Sequence, residues 1–361
     1  MDLKEFFILS LLLCCAQFGW TRMPRNYLDE TSASHVNVMD FEAVGDGETD
    51  DSQILGHILA PSEISSWESK HVETWILFDS IKGLTINGSG SGKIDGQGSS
   101  WWECKSEAKC SSAPTAVGVN GCDDFQINGL KFVNSQGMHV VLNKCNGVKI
   151  SNVEISAPED SPNTDGIHFQ RCKNVEITNS VIGTGDDCIS IGTATSNVNI
   201  SKVFCGPGHG ISVGSLGKHD SAAVEQIHVS NCTLRSTMYG ARIKTWQGGS
   251  GFAKSITFED IIIDSTDNPI VIDQYYCNGN HNCGNNTSAV EVSDVKFINF
   301  QGTSSSKTAI KLACSETVAC TDIHLRQVHL KTPESNEVKA YCLNVKGTST
   351  DVNPDVPCLD N

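Results

Sequence analysis

A short strand-like motif recurs nine times along this chain, and this repeat restricts the possible folds more than any other feature. Most copies read apolar, any, apolar, any, polar, apolar, any, apolar, and the polar residue is often Asn. Alternation with period two predicts a β-strand, and the polar break predicts a bend within it. The copies are GLTINGSG (83–90), FQINGLKF (125–132), VKISNVEI (148–155), VEITNSVI (175–182), VNISKVFC (198–205), IHVSNCTL (227–234), ITFEDIII (256–263), VKFINFQG (295–302) and IHLRQVHL (323–330).

The spacing of the copies predicts a solenoid. From the second copy onward, the starting residues are 23, 27, 23, 29, 29, 39 and 28 residues apart, with almost no helical pattern between them. Leucine-rich repeats would need an L-x-x-L-x-L pattern, which is missing, and propeller blades would need about four strands in each 40 residues. The predicted fold is therefore an all-β parallel β-helix whose inward Val, Ile and Phe form one apolar column. A large β-sandwich remains the alternative.

Composition excludes two broad classes. Hydrophobic residues make up 39% of the chain and charged residues 19%, which is enough apolar material for a core and argues against wholesale disorder. The formal net charge is −16, whereas proteins that bind nucleic acid usually present a basic face. No nucleic-acid partner is predicted.

The first residues predict export. The apolar run from Phe6 to Ala16, broken only by Ser10, is too short to span a bilayer and fits a cleaved signal peptide over residues 1–20. An uncleaved anchor and a buried segment are the alternatives. Residues 21–361 are predicted to form one soluble, monomeric β-helix domain without a membrane partner, in which 54–361 form the coils and the C-terminal cap.

The sixteen cysteines of the chain also support secretion, because so many thiols are uncommon in a reducing cytosol. Paired C-x₂-C knuckles are missing, so disulfides are favoured over zinc sites. The close pairs are Cys104/Cys110, Cys277/Cys283, Cys314/Cys320 and Cys342/Cys358. Acceptor triplets for N-glycosylation give weak further support and occur at Asn87, Asn199, Asn231, Asn285 and Asn286.

Four polar clusters follow four consecutive repeats. They are SPNTDGIHF (161–169), GTGDDCISIG (183–192), CGPGHGISVGSLG (205–217) and YGARIKTW (239–246). Asp186 and His209 each lie 11 residues after the start of their repeat, so they are expected one coil apart, at about 4.8 Å. Asp165 joins them if its longer loop absorbs the additional residues. The solenoid would thus bring Asp165, Asp186 and Asp187 onto one wall with His209, Arg242 and Lys244.

These residue types suit the hydrolysis of a carboxylated sugar. A protonated carboxyl group can donate to the leaving oxygen while an ionised one activates water, and crowding of like charges raises one pKa. Arg can bind a sugar carboxylate through two hydrogen bonds. Each cluster alone would more often be a turn or a solvated edge, so the interpretation depends on their convergence.

Other polar and aromatic residues are assigned with less support. Trp101, Trp102 and Trp246 either stack on sugar or cover the core. His168 follows an inward type of alternation and is expected to be structural. The Asn residues at the bends are expected to form side-chain ladders, as at Asn128, Asn152 and Asn179.

At these clusters the sequence resembles the plant-type polygalacturonases of glycoside hydrolase family 28. The shared motifs are Asn163-Thr164-Asp165, Gly185-Asp186-Asp187, Gly208-His209-Gly210 and Arg242-Ile243-Lys244. The resemblance extends over residues 83–358, and 35–53 also looks like the family's N-terminal strand. It implies a right-handed parallel β-helix, secreted to the cell wall, that hydrolyses α-1,4-linked galacturonan of demethylated pectin with inversion, endo action being favoured over exo.

The resemblance also implies the roles of individual residues. Asp186 would be the general acid, Asp165 and Asp187 would position and deprotonate water, and His209 would support the protonation of Asp186. The implied substrate-binding residues are Arg242, Lys244, Tyr276 and Asn163, with Tyr275 competing for the place of Tyr276. Neither a metal nor an organic cofactor is implied. One conflict stays open, since a coil spacing near 5 Å would favour a retaining pair of carboxylates.

One departure from the family's pattern leaves a second outcome open. After residue 53 the family continues with a capping helix and about two further coils, roughly 60 residues, which this sequence lacks. An open solenoid end exposes apolar side chains and strand edges, so the product could be unstable or a non-catalytic wall-binding protein. A Ca²⁺-dependent lyase on the same architecture is a weaker alternative.

Overall fold

The computed structural model describes residues 54, 56–67, 72–218, 221–277, 283–284, 286–333 and 337–359. These residues form a right-handed parallel β-helix of two long sheets, as predicted, and every strand pair is parallel. The predicted signal peptide at 1–20 and the N-terminal strand segment at 35–53 lie outside the described residues.

The first sheet contains the strands predicted from the repeat. Its members are β1 (His57–Leu59), β3 (Thr85–Asn87), β4 (Lys93–Asp95), β6 (Asp123–Asn128), β7 (Lys131–Val133), β9 (Asn146–Ser151), β10 (Glu154–Ser156), β12 (Lys173–Gly183), β14 (Thr195–Cys205), β16 (Ala222–Arg235), β18 (Gly251–Thr266), β20 (Glu291–Ser304), β22 (Cys320–Lys331) and β24 (Val345–Asn353). The starting residues of eight copies pair in an unbroken series, which confirms the register: Phe125, Val148, Val175, Val198, Ile227, Ile256, Val295 and Ile323.

The second sheet includes the four strands that begin within the polar clusters. Its strands, in spatial order, are β2 (Thr74–Asp79), β5 (Thr115–Asn120), β8 (Val140–Asn143), β11 (Ile167–Gln170), β13 (Ile189–Ile191), β15 (Ile211–Leu216), β17 (Tyr239–Trp246), β19 (Asn268–Tyr276), β21 (Thr308–Ala313) and β23 (Lys339–Leu343). Because spatial order equals chain order, residues at the same point of successive coils lie side by side.

Alternating side chains of both sheets fill one continuous core. Ile177, Ile200 and Val229 are fully buried on successive strands, and Phe258 stacks on Phe297 with ring centroids 5.7 Å apart. Burying one such side chain stabilises the fold by about 1.5–3 kcal/mol relative to leaving it exposed. Since each coil contacts only its neighbours, the column of apolar side chains makes the stack continuous.

The polar break in the repeat is a left-handed residue, as expected for a bend. Asn152, Asn179 and Asn231 have φ values of 54°, 49° and 54°, a conformation that Asn tolerates better than most residues. The expected ladder occurs where Asn152 Nδ2 donates to Asn128 Oδ1 at 2.7 Å. A second ladder joins Asn146, Asn174 and Asn197 on the same sheet.

One helix, which the sequence pattern did not predict, projects between β4 and β5. This helix, α1 (Ser99–Ser106), carries Trp101 and Trp102, two of the three tryptophans that were candidates for sugar contact. Trp101 is buried and packs edge-on against Trp67 at 5.7 Å, so its role is structural. Trp102 Nε1 donates to the Ser135 carbonyl oxygen at 3.0 Å. None of the described helices is long and apolar enough to cross a membrane.

Disulfides close the excursions from the coils. All four close pairs named from the sequence are bonded, and a fifth bond joins Cys188 to Cys205. Cys122, Cys145, Cys172 and Cys232 are buried free thiols. The first three occupy matching positions of successive coils.

Candidate active site

A column of in-register residues on the outer face of the second sheet forms the floor of the site. His168 pairs with Ser190, Ser190 with Ser212, and Ser212 with Arg242. The neighbouring residues Ile167, Ile189 and Ile211 point into the core. The expectation that His168 points inward is therefore wrong, because Ile167 and Phe169 take the two inward positions and leave His168 on the opposite face.

Asp165 lies two residues before the start of β11, next to this floor. The Ser190 hydroxyl donates to Asp165 Oδ2 at 3.0 Å, and His168 Nδ1 lies 2.7 Å from Ser190 Oγ. Since the hydroxyl has one hydrogen, His168 Nδ1 is the donor in the second bond. Burial raises the pKa of Asp165 well above its ordinary value, and Asp186 and Asp187 raise it further. Asp165 therefore retains a proton at pH values at which an ordinary carboxyl group is ionised.

Asp187 is a carboxyl group whose pKa is lowered, in contrast to that of Asp165. Its Oδ1 accepts hydrogen bonds from Ser212 Oγ at 2.8 Å and Arg242 Nη2 at 2.5 Å, and its Oδ2 accepts one from Lys244 Nζ at 2.7 Å. Burial alone would raise the pKa of Asp187, but the two cations and these hydrogen bonds outweigh it and lower the pKa to about 2. The site therefore separates a protonated carboxyl group from an ionised one.

Asp186 and His209 lie one coil apart, as the spacing predicted. His209 Nδ1 is 3.0 Å from Asp186 Oδ1, and the His209 amide donates to the Asp186 carbonyl oxygen at 2.8 Å. Asn163 Nδ2 contacts Asp186 Oδ2 at 3.2 Å. The Asp186 side chain is 19% exposed, whereas that of Asp187 is 2% exposed, so Asp186 is the acid that a ligand can reach.

Two glycines allow the backbone segments around the acids to approach each other. A Cβ on Gly185 would lie 2.0 Å from the Ser161 carbonyl oxygen, which is impossible for any other residue. Gly210 has φ +72°, and a Cβ there would lie 2.0 Å from the Tyr239 carbonyl oxygen. These contacts fix the loops that carry Asp186 and His209.

Aromatic rings line the side of the site toward the C-terminal coils. The Arg242 guanidinium lies 3.9 Å from the centroid of the Tyr239 ring, and His209 meets the same ring edge-on. Tyr276 packs edge-on against Trp246 at 5.3 Å, with Lys244 Nζ 5.3 Å from its ring centroid. Tyr275 instead accepts a hydrogen bond from the Glu316 amide, so Tyr276 is the tyrosine beside the site.

The structure thus brings together all eight residues named from the sequence as site residues: Asp165, Asp186, Asp187, His209, Arg242, Lys244, Tyr276 and Asn163. Sequence reasoning missed Ser190, Ser212, Tyr239 and Lys105, which contact this group. The two serines had a visible signal, because each stands three residues after Asp187 or His209 at the same point of its coil.

The same site contains possible metal ligands. Asp186, Asp187 and His209 place ligand atoms within 4.8 Å of one another. A divalent cation there would meet the charges of Arg242 and Lys244, which already occupy both oxygens of Asp187. These residues fit a metal ion poorly, which weakens the Ca²⁺-dependent alternative.

A parallel β-helix with clustered carboxyl groups and basic residues along one wall is the arrangement of a polysaccharide-cleaving enzyme. The sequence profile of Glycosyl hydrolases family 28 matches residues 46–352, and the chain belongs to that family. "Probable polygalacturonase At3g15720" of Arabidopsis thaliana is 43% identical over 381 aligned positions, which cover 91% of this chain and 82% of that protein. The polygalacturonase of Persea americana is 42% identical, covering 81% and 64% respectively.

Solved structures support the same assignment. The endo-xylogalacturonan hydrolase of Aspergillus tubingensis is similar with a TM-score of 0.74 at 26% identity, over 82% of this chain and 84% of that one. The endopolygalacturonase I of Stereum purpureum, solved with two galacturonates, has a TM-score of 0.63 at 18% identity, over 82% and 93% respectively, and shares the fold. The chain is a glycoside hydrolase that resembles plant polygalacturonases.

Proposed function

We propose that this protein is a secreted polygalacturonase that hydrolyses α-1,4-galacturonosyl linkages of demethylated pectin in the cell wall. The observation that carries the proposal is the pairing of a partly exposed acid, Asp186, with His209, between a carboxyl group that keeps its proton and one that is ionised. The similarity to named polygalacturonases supports the choice of substrate.

The reaction is a single displacement with inversion. Asp186 protonates the leaving glycosidic oxygen, and Asp165 and Asp187 hold and deprotonate the attacking water. The negative charges of Asp186 and Asp187 raise the pKa of Asp165. The cleavage step requires a proton on Asp186, which passes to the leaving oxygen, and an ionised Asp165, which accepts the proton of the attacking water. His209 orients Asp186 through the contact with Oδ1.

Arg242 and Lys244 bind a substrate carboxylate through the N–H groups that are not hydrogen-bonded to Asp187. Tyr276 lies beside Lys244 and forms part of the same subsite. Endo action is favoured over exo. The time course of product sizes from polygalacturonate tests this point, and NMR detection of the first-formed anomer tests inversion.

The decisive experiment is the release of reducing ends from polygalacturonate by the wild type and by Asp186→Asn. Removal of a general acid is expected to lower kcat by about 10²–10⁴-fold. Asp124→Asn is the matched control, because Asp124 is exposed on the first sheet and its left-handed φ of 54° suits Asn. Near-full activity of Asp186→Asn would refute the role of Asp186. An unsaturated product that absorbs in the ultraviolet would indicate a lyase instead.

A further inference from the structure

We propose that Lys105 binds a second carboxylate of the substrate, on the side of the three acids that faces the N-terminal coils. The inference rests on the proposed function and deepens it. It makes the enzyme selective for a chain that carries free carboxylates on both sides of the bond that is cut.

The position of Lys105 is fixed by the packing of α1. Trp101 is buried against Trp67, Trp102 donates to the Ser135 carbonyl oxygen, and Cys104 is bonded to Cys110. Lys105 lies one turn after Trp101, in the last turn of the helix, where a cation is favoured by the helix dipole. Its ammonium reaches across the site and donates a hydrogen bond to Asn163 Oδ1.

The Lys105 ammonium forms no ion pair with any residue that the structure describes, and it is hydrogen-bonded to a neutral amide, that of Asn163. Burial lowers the pKa of Lys105, while the charges of Asp186 and Asp165 oppose that shift. Arg242 and Lys244, in contrast, are both paired with Asp187. A partly desolvated ammonium without a carboxylate partner favours an incoming anion.

The location of Lys105 makes the anion a second substrate carboxylate. Its partner Asn163 precedes β11, and Arg242 and Lys244 lie on β17, three strands further along the second sheet. At about 4.8 Å per strand, β11 and β17 are roughly 14 Å apart along the axis, and the loop before β13 that carries Asp186 and Asp187 lies between them. A linear uronate chain that lies along the axis would therefore meet one cationic position on each side of the cut. A methyl ester at the Lys105 position would remove the charge that this position recognises.

The test compares Lys105→Met, Lys105→Arg and the control Lys109→Met on polygalacturonate and on highly methyl-esterified pectin. Lys109 belongs to the same excursion but is exposed and pairs with Glu107. Loss of a hydrogen bond to a charged group predicts a KM on polygalacturonate raised by about 10- to 100-fold in Lys105→Met, with kcat changed by less than about threefold. On the esterified substrate the variant and the wild type should differ by less than about threefold, and Lys105→Arg should retain most of the selectivity.

Three results would overturn the inference. An unchanged KM in Lys105→Met would remove Lys105 from substrate binding. A lower kcat with unchanged KM, equal on both substrates, would show that Lys105 acts only by holding Asn163 against Asp186. Wild-type protein without activity on polygalacturonate would overturn the proposed function and this inference together, whereas the first two results leave the proposed function intact.

Discussion

The buried group formed by Asp187, Arg242 and Lys244 should dominate the local energetics of the site. Burial and the charges of Arg242 and Lys244 act in opposite directions, and the net result lowers the pKa of Asp187 from 3.8 to about 2. This lowering of the pKa corresponds to roughly 2 kcal/mol of stability at neutral pH. The side chains of Arg242 and Lys244 are only 6% and 8% exposed, so water cannot replace Asp187 as their partner.

The perturbation is a double-mutant cycle of Asp187→Asn and Lys244→Met. Asp187→Asn alone leaves two buried cations beside a neutral amide and should lower the free energy of unfolding by about 3–5 kcal/mol. Lys244→Met alone leaves Asp187 with Arg242 and Ser212 and should cost less. The double variant removes one charge of each sign, so its cost should be smaller than the sum of the single costs by up to about 3 kcal/mol.

The assay is equilibrium urea unfolding followed by tryptophan fluorescence, with the disulfides intact. The lowered pKa of Asp187 stabilises the fold above the ordinary carboxyl pKa, and this contribution is lost as the pH falls through about 2. About half of it should remain at pH 3, so the cost of Asp187→Asn should be smaller there than at pH 7.

The matched control is the exposed pair Arg235–Asp264, whose side chains are 57% and 43% exposed and whose coupling should stay below about 1 kcal/mol. Single costs that add to within about 0.5 kcal/mol in the buried group would refute the reasoning.

Two further predictions concern the floor of the site and the fifth disulfide. Ser190→Ala removes a hydrogen bond that lowers the pKa of Asp165, so the limb of the pH–rate profile that reports deprotonation of Asp165 should move to higher pH, and kcat should fall by about tenfold. Ser190→Thr keeps the hydroxyl group and is the control. An unchanged pH–rate profile in Ser190→Ala would contradict the role of Ser190. Replacement of both Cys188 and Cys205 by Ala opens a loop of 17 residues and should lower the free energy of unfolding by roughly 3 kcal/mol. Cys232→Ala removes a free buried thiol and is the control. An equal loss in Cys232→Ala would show that lost packing, rather than the lost disulfide, is responsible.

The first sheet could be predicted from the sequence because its repeats carry the full alternating pattern. Val148, Val175 and Val198 begin successive copies and are in register in the structure. The second sheet gave a weaker pattern, since strands such as Ile189–Ile191 have three residues and lie beside Gly-rich polar loops. The position of Asp186 next to His209 was also predictable, because each residue lies 11 residues after the start of a repeat of the first sheet.

The remaining parts of the site depend on contacts that no spacing encodes. Lys105 reaches the acids from an excursion whose course is set by the packing of Trp101 and Trp102. The pairing of both cations with Asp187 follows from side-chain directions across two coils, which the sequence does not specify. The Cys188–Cys205 bond likewise joins the residue before β13, on the second sheet, to the last residue of β14, on the first sheet, and the sequence did not single out this pair.

The acids occupy the middle of the second sheet. In its ten-strand order, β11 to β17 position the three acids, His209, Arg242 and Lys244, with three strands before them and three after. Local unfolding that starts at either end of the described sheet must therefore disrupt three strands before it reaches a strand that positions a catalytic group. The outer coils can lose order while the catalytic residues keep their arrangement.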